Sequence, residues 1–380
     1  MEPLLLETIP VKHLNNISLI NITRLFIFIV CTTSISACDT KRQNDVPEAG
    51  TADSLNFALN NVIEKNIVPA ISTFKEETDL LQTNATTFCA SLNQANLTAL
   101  QAQWKMLSLQ WHRVVMYNLG PLNDDLIFPV INFIESMRQH GTNYTNTVRG
   151  ELAARLSDAT TLNQTYFDSL SFTRVGILAL EVLIFEDSNG VHSTDTSLIV
   201  SDYQANSRKC DYLTGMIQLL SRHANTLNDG WQINFSSTGK PFKEILLKGE
   251  LENGAESVPA LITAIQKYLD YLKKRKLEVI LDAQIADFFY QNISSALNEI
   301  EKMLQGSGAD DFRFFDQMIS IGFIEQVNIV KSNLAKAKQA ALNENRSELT
   351  TAIGLLDGNF KREIPDGLNV TLGINFSDGD

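Results

Sequence analysis

Glycine and proline are scarce, with 19 and 9 residues in a chain of 380. All-β sandwiches and barrels need many tight turns, so this composition disfavours them. Basic residues are outnumbered, 31 Lys plus Arg against 44 Asp plus Glu, giving a formal net charge of −13. A protein that displaces counterions from a phosphate backbone needs the opposite balance, so nucleic acid is excluded as a partner. Histidine is rarer still: His13, His112, His140, His192 and His223 are scattered, and no H-E-x-x-H occurs. There is no P-loop, G-x-G-x-x-G, G-x-S-x-G or C-x-x-C, which leaves nucleotide, serine-hydrolase and thiol-redox chemistry without a motif.

What the chain does have is apolar side chains, 44% of the total, against 20% charged. That is enough for a large core. The apolar residues recur at spacings of three and four. Leu100, Trp104, Leu107, Trp111, Val114 and Val115 form one stripe; Leu277, Leu281, Ile285, Phe288, Ile293, Leu297, Ile300 and Leu304 form another. Such stripes bury one face of a helix. The pattern predicts helices near 54–80, 91–118, 123–139, 146–158, 164–186, 200–229, 257–304, 310–342 and 346–356. Residues 231–252 alternate in the manner of a short β-hairpin, and the tail from Val370 to Phe376 reads as extended. The run Lys273-Lys-Arg-Lys276 reads as a solvated helix face.

Residues 25–37, LFIFIVCTTSISA, follow Arg24. The run is too short to cross a hydrocarbon core, which takes about 20 residues. It reads as an export signal occupying 1–37. Its end, Ile35-Ser36-Ala37-Cys38, resembles a bacterial lipobox, in which the Cys thiol becomes the new, acylated N-terminus. The expectation is a periplasm-facing lipoprotein of the cell envelope, tethered to membrane through Cys38. Asp39 favours the inner membrane and leaves the outer membrane open. Residues 38–54 read as a flexible tether. Cys89 and Cys210 then remain as an even pair in an oxidising compartment and are expected to form a disulfide.

Several segments together resemble the imelysin-like family. Trp104 and Trp111 followed by Gly120-Pro121 are similar to its Trp-bearing helix. Arg174-Val-Gly-Ile-Leu-Ala-Leu-Glu-Val-Leu-Ile-Phe185 resembles its glycine–histidine–glutamate helix. Ser207-Arg-Lys-Cys210 is similar to the start of its second repeat, and Leu372-Gly-Ile-Asn-Phe-Ser-Asp-Gly-Asp380 to its terminal signature. The resemblance implies an all-α fold of two related bundles, a tandem duplication with halves at 55–200 and 201–380 and a pocket at their interface. It also implies an envelope location and a link to iron uptake, with iron or another divalent cation as a candidate cofactor and iron-uptake envelope proteins as partners. Founding members were described as metallopeptidases.

One departure bears on mechanism. The family pattern G-x-H-x-x-E is represented by Gly176 and Glu181, but Leu178 stands at the histidine position. A catalytic zinc needs about three protein ligands and an open position for water. Leucine has no lone pair, and Glu181 is left as the only candidate ligand. The expected role of Glu181 is a pocket-lining acid or an acid satisfied by a core arginine, Arg113 or Arg174. Gly176 is expected to permit a close approach between helices. Trp111 is expected in the core or at the pocket, and Asp287 to face that pocket from the second half. The leading expectation is a non-catalytic binding or accessory component of iron acquisition. The alternatives are a metallopeptidase with ligands from elsewhere and a scaffold for another envelope protein.

Overall fold

The computed structural model describes residues 47–48, 50–123, 129–136, 143–187, 195–236, 238–252, 254–278, 283–306 and 311–372. The expected signal, Cys38 and most of the tether lie outside them, as do His140, His192 and the end of the tail. Thr51 opens the first helix through a reciprocal cap: its hydroxyl accepts the Ser54 N–H and Ser54 Oγ accepts the Thr51 N–H. This helix, α1 (Ala52–Val62), passes through a π-helical turn (Ile63–Ile67) into α2 (Val68–Ala90). The expected stop near residue 80 does not occur. The hydroxyls of Thr78, Thr83, Thr86 and Thr87 bond back to carbonyls four residues earlier. Burial of Leu81, Ala85 and Phe88 carries the helix through this polar stretch, and the back-bonds take up its hydroxyls. Asn93 caps α3 (Gln94–Val114) by accepting the Asn96 N–H at 2.9 Å.

A series of shorter helices follows: α4 (Val130–Ile134), α5 (Thr145–Ser157), α6 (Gln164–Asp168) and, after a 3₁₀ turn at Phe172–Arg174, α7 (Gly176–Phe185). The expected helix at 164–186 is therefore two helices. The helix expected at 200–229 also divides, into α8 (Thr196–Ala205) and α9 (Arg208–Gln232). Asn206 makes the break by accepting the Arg208 N–H at 3.0 Å with its side chain while donating to Leu156 O.

The hairpin expected at 231–252 is absent. The segment instead holds the end of α9, a loop, and α10 (Phe242–Lys248). Its alternating apolar residues are an aromatic cluster folded over that loop: the Trp231 and Phe235 rings pack at 4.9 and 5.1 Å from the Phe242 ring. No β-strand occurs among the described residues.

The last third comprises α11 (Ser257–Tyr271), a second π-helical turn (Leu272–Leu277), α12 (Phe289–Gln305), α13 (Phe314–Ser320), α14 (Ile324–Leu342), α15 (Arg346–Lys361) and α16 (Glu363–Leu368). The continuous helix expected at 257–304 is broken because Ala283 and Asp287 adopt left-handed backbone, φ +48° and +50°. Gly322, at φ +98°, divides the expected 310–342 helix in the same way.

Helix α2 packs along both α3 and α9, and α3 turns other faces to α7 and α12. Helices α12, α14, α15 and α11 pack in succession. The contact of α3 with α12 joins the two groups, and residues 46–380 cluster as one compact unit. Trp104, Trp111 and Phe74 are fully buried at the centre, with the Phe74 and Trp111 rings 5.3 Å apart. The Cys89–Cys210 disulfide ties the end of α2 to the start of α9 across 121 residues. No described helix is long and apolar enough to cross a membrane.

Candidate functional site

All ten residues of α7, GILALEVLIF, are buried, and Glu181 is the one ionisable side chain among them. An apolar sequence on every face places a helix in the interior. Its start is fixed by Gly176, at φ +80°. A Cβ there would lie 2.7 Å from the Phe133 carbonyl oxygen and closer still to that of Ile134, so only glycine lets the chain pass this close to α4. Side chains from neighbouring helices serve the α7 carbonyls. Trp104 Nε1 donates to Ile177 O at 3.3 Å, Gln101 to Ile184 O at 3.1 Å and the Tyr203 hydroxyl to Leu183 O at 3.0 Å. The last two satisfy carbonyls near a helix end that lack intrahelical partners.

Glu181 is 2% exposed. Its Oε1 accepts the backbone N–H of Ala286 at 2.9 Å. Ala286 lies between the two left-handed residues Ala283 and Asp287. The distortion that interrupts the expected helix thus occurs where a backbone donor meets a buried acid. A charge-assisted bond of this kind offsets part of the cost of burying a carboxylate.

The acid separates two cavities. One, of about 230 Å³, has Asn143, Asn146, Arg149 and Gln284 on its polar side and Leu178 and Ile285 on its apolar side. The other, of about 20 Å³, is bordered by Ser108, His112, Glu135 and Ser136. Leu178 and Glu181 line both. Arg149 is held in place by Glu186: Nε and Nη2 reach the two carboxylate oxygens at 2.9 and 2.5 Å. This hydrogen bonding raises the guanidinium pKa above its ordinary value. Behind the small cavity, Trp111 Nε1 donates to Glu135 Oε2 at 2.6 Å, and Lys276 Nζ bonds the other oxygen.

The structure brings Glu181, Leu178 and Gly176 together and places the other expected residues elsewhere. Trp111 is fully buried and reaches the site only through Glu135. Arg113 binds Glu299 at 2.9 Å, and Arg174 binds Glu151 at 3.1 Å, so neither is the core arginine expected beside Glu181. Glu299 also accepts from Tyr117 at 3.0 Å and Asn66 at 3.2 Å; Asn66 in turn bonds Arg313. Burial pushes the Tyr117 hydroxyl pKa well up. Asp287 is exposed and lies outside the cavity lining; its neighbours Gln284 and Ile285 face the cavity instead. Its left-handed backbone turns this segment out of the helix that would have aimed the acid inward.

Arg149, Glu135 and Lys276 were not legible as site residues. Lys276 belongs to the basic run expected on a solvated face, yet it is 1% exposed. The π-helical turn Leu272–Leu277 shifts the register and turns this one lysine inward.

The donor set does not fit a catalytic zinc. Leu178 offers no ligand atom, and among the described residues no group of three His, Cys, Asp or Glu side chains could hold a metal ion. His112 directs Nδ1 to Ser108 O at 2.9 Å. His223 lies beside the Phe133 ring, 5.6 Å between centroids, and burial lowers its pKa to about 4.

No curated protein matches the sequence. Among solved structures, an imelysin-like protein from Psychrobacter arcticum 273-4 superposes with a TM-score of 0.62 at 16% identity, covering 85% of this chain and 98% of that one. A protein from Parabacteroides distasonis ATCC 8503, described as an iron-regulated protein A precursor, superposes with a TM-score of 0.56 at 11% identity, covering 83% and 99%. These likenesses show a shared all-α fold. The imelysin family model matches residues 67–309, well over half of the sequence, and the chain belongs to the imelysin family.

Proposed function

We propose that this protein is a lipid-anchored, periplasm-facing component of iron acquisition that binds a ligand in the Glu181 cavity and does not cleave it. The observation that carries the reading is the pairing of Glu181 with Leu178 at the border of a polar-walled cavity of about 230 Å³. The Glu181 carboxylate, the Arg149 guanidinium and the amides of Asn143, Asn146 and Gln284 line the cavity, with Arg149 already held by Glu186 and Asn146. Such a set recognises a small polar ligand by hydrogen bonds. Hydrolysis would need in addition an activated nucleophile or a metal-bound water. Membership of the imelysin family and the iron-regulated description of the Parabacteroides relative support the link to iron. The sequence Ile35-Ser36-Ala37-Cys38 supports acylation at Cys38, with membrane as one partner and iron-uptake envelope proteins as others.

Two measurements test this together. Iron starvation is expected to raise the transcript several-fold, and Cys38→Ser is expected to move the protein from the membrane fraction to the soluble one. A transcript indifferent to iron would remove the iron link, and membrane retention of the serine variant would remove the anchor.

A further inference from the structure

A third cavity, of about 560 Å³, lies among α5, α7, α8 and α9. That volume is in the range of small-molecule sites. Leu152, Ala153, Leu156, Val182 and Ala205 give it an apolar wall, and the remaining wall is charged. Arg149 and Glu186 satisfy each other there through the two short bonds described above. Lys209 is different. It is 4% exposed, yet its nearest carboxylate oxygen, on Asp202, stands at 3.9 Å, beyond hydrogen-bond reach. Its ammonium also lies 4.6 Å from the centroid of the Tyr203 ring. Among the described residues it donates no side-chain hydrogen bond, so a buried cation with three donors borders an open cavity. Asp187 and Asp202 border the same space.

We infer that this cavity is a second binding site, for a small zwitterion with an apolar side chain, such as a free amino acid or dipeptide. A carboxylate entering here reaches the Lys209 ammonium and forms the charge-assisted bond that Asp202 is too distant to make. A carboxylate alone would bring its charge beside Asp187 and Asp202, and an amine alone beside Lys209. A molecule carrying both signs a few ångströms apart matches both, while its side chain covers the apolar wall. Burial lowers the Lys209 pKa, and the neighbouring Asp202, Asp187 and Glu186 carboxylates offset part of that shift. The walls are fixed in advance of binding. Asn206 bonds Leu156 O, and Arg208 bonds Arg155 O at 3.0 Å and Thr160 O at 2.7 Å, which locks the end of α5 to the α8–α9 junction.

The test is isothermal titration of the full chain, held in detergent, with L-leucine, L-phenylalanine and leucyl-leucine, and with octanoate and hexylamine as single-charge controls. At least one zwitterion is expected to bind ten-fold or more tightly than either control. Lys209→Met should weaken that binding at least ten-fold. Leu156→Trp, which fills the apolar side and leaves every charge in place, should abolish it with the circular-dichroism melt unchanged. Octanoate or hexylamine binding as tightly as the zwitterions, no heat from any probe at millimolar concentration, or binding untouched by both variants would overturn the assignment.

Discussion

Lys276, on the second π-helical turn, is buried against Glu135, a residue 141 positions earlier, and Trp111 donates to the same carboxylate from α3. One ion pair thus ties the segment after α4 to the end of α11 beside the cavity that Glu181 borders. Removing one partner of a buried pair leaves an uncompensated charge, which costs about 3–5 kcal/mol, whereas replacing both with apolar or neutral groups costs much less. Lys276→Met is therefore expected to lower unfolding free energy by about that amount. Adding Glu135→Gln to it should restore most of the loss, read by urea denaturation as a double-mutant cycle. Equal destabilisation by single and double variants would show that packing matters here and the charges do not.

The disulfide closes a loop of 121 residues. In the chain-entropy model such a cross-link stabilises by about 4–5 kcal/mol through the unfolded state. Replacing Cys89 and Cys210 by serine is expected to lower the denaturation midpoint accordingly, and a reductant should do the same to the natural chain. A midpoint unmoved by either treatment would mean the native bond carries compensating strain.

Gly176→Ala forces a Cβ against the backbone of α4 at a positive φ. The expected cost is about 2–3 kcal/mol or more, since neither the carbonyl nor the backbone angle can yield cheaply. Gly150→Ala is the control: nothing lies within 4 Å of the added atom, and the substitution falls inside α5, so it should be neutral or stabilising. Thermal melts of the two variants distinguish these outcomes directly.

His223 supplies a pH dependence whose sign is fixed. Its folded pKa is lowered from 6.5 to about 4, chiefly by burial. Between those values the unfolded chain binds a proton that the folded chain refuses, so the contribution to stability is present above about 6.5 and is lost as pH falls toward 4. His223→Gln should flatten the decline of the urea midpoint between pH 7 and 5. An unchanged slope would show that His223 titrates normally.

The apolar run 176–185 made the buried helix legible, and its single acid made Glu181 conspicuous. The departure at Leu178 is legible only against the family pattern G-x-H-x-x-E, which Gly176 and Glu181 resemble. The partners of Glu181 were hidden. Ala286 contributes only a backbone N–H, presented by left-handed turns at Ala283 and Asp287, where neither residue is glycine. Lys276 was hidden because a π-turn changes which residues share a face, and a reading at 3.6 residues per turn carries the basic run outward. The expected hairpin fails at Trp231 and Phe235 because an aromatic cluster over a loop mimics period-two alternation. Breaks such as that at Asn206 depend on a side chain capturing a backbone donor, a contact that periodicity does not encode.

Zinc titration of the natural chain beside Leu178→His and Leu178→His/Glu181→Gln tests the central claim most directly. Histidine at 178 would stand one helical turn from Glu181, the spacing at which two side chains share a cation. The account predicts no stoichiometric zinc on the natural protein, a gain of affinity on Leu178→His and its loss in the double variant. One zinc per natural chain, lost on Glu181→Gln alone, would contradict it.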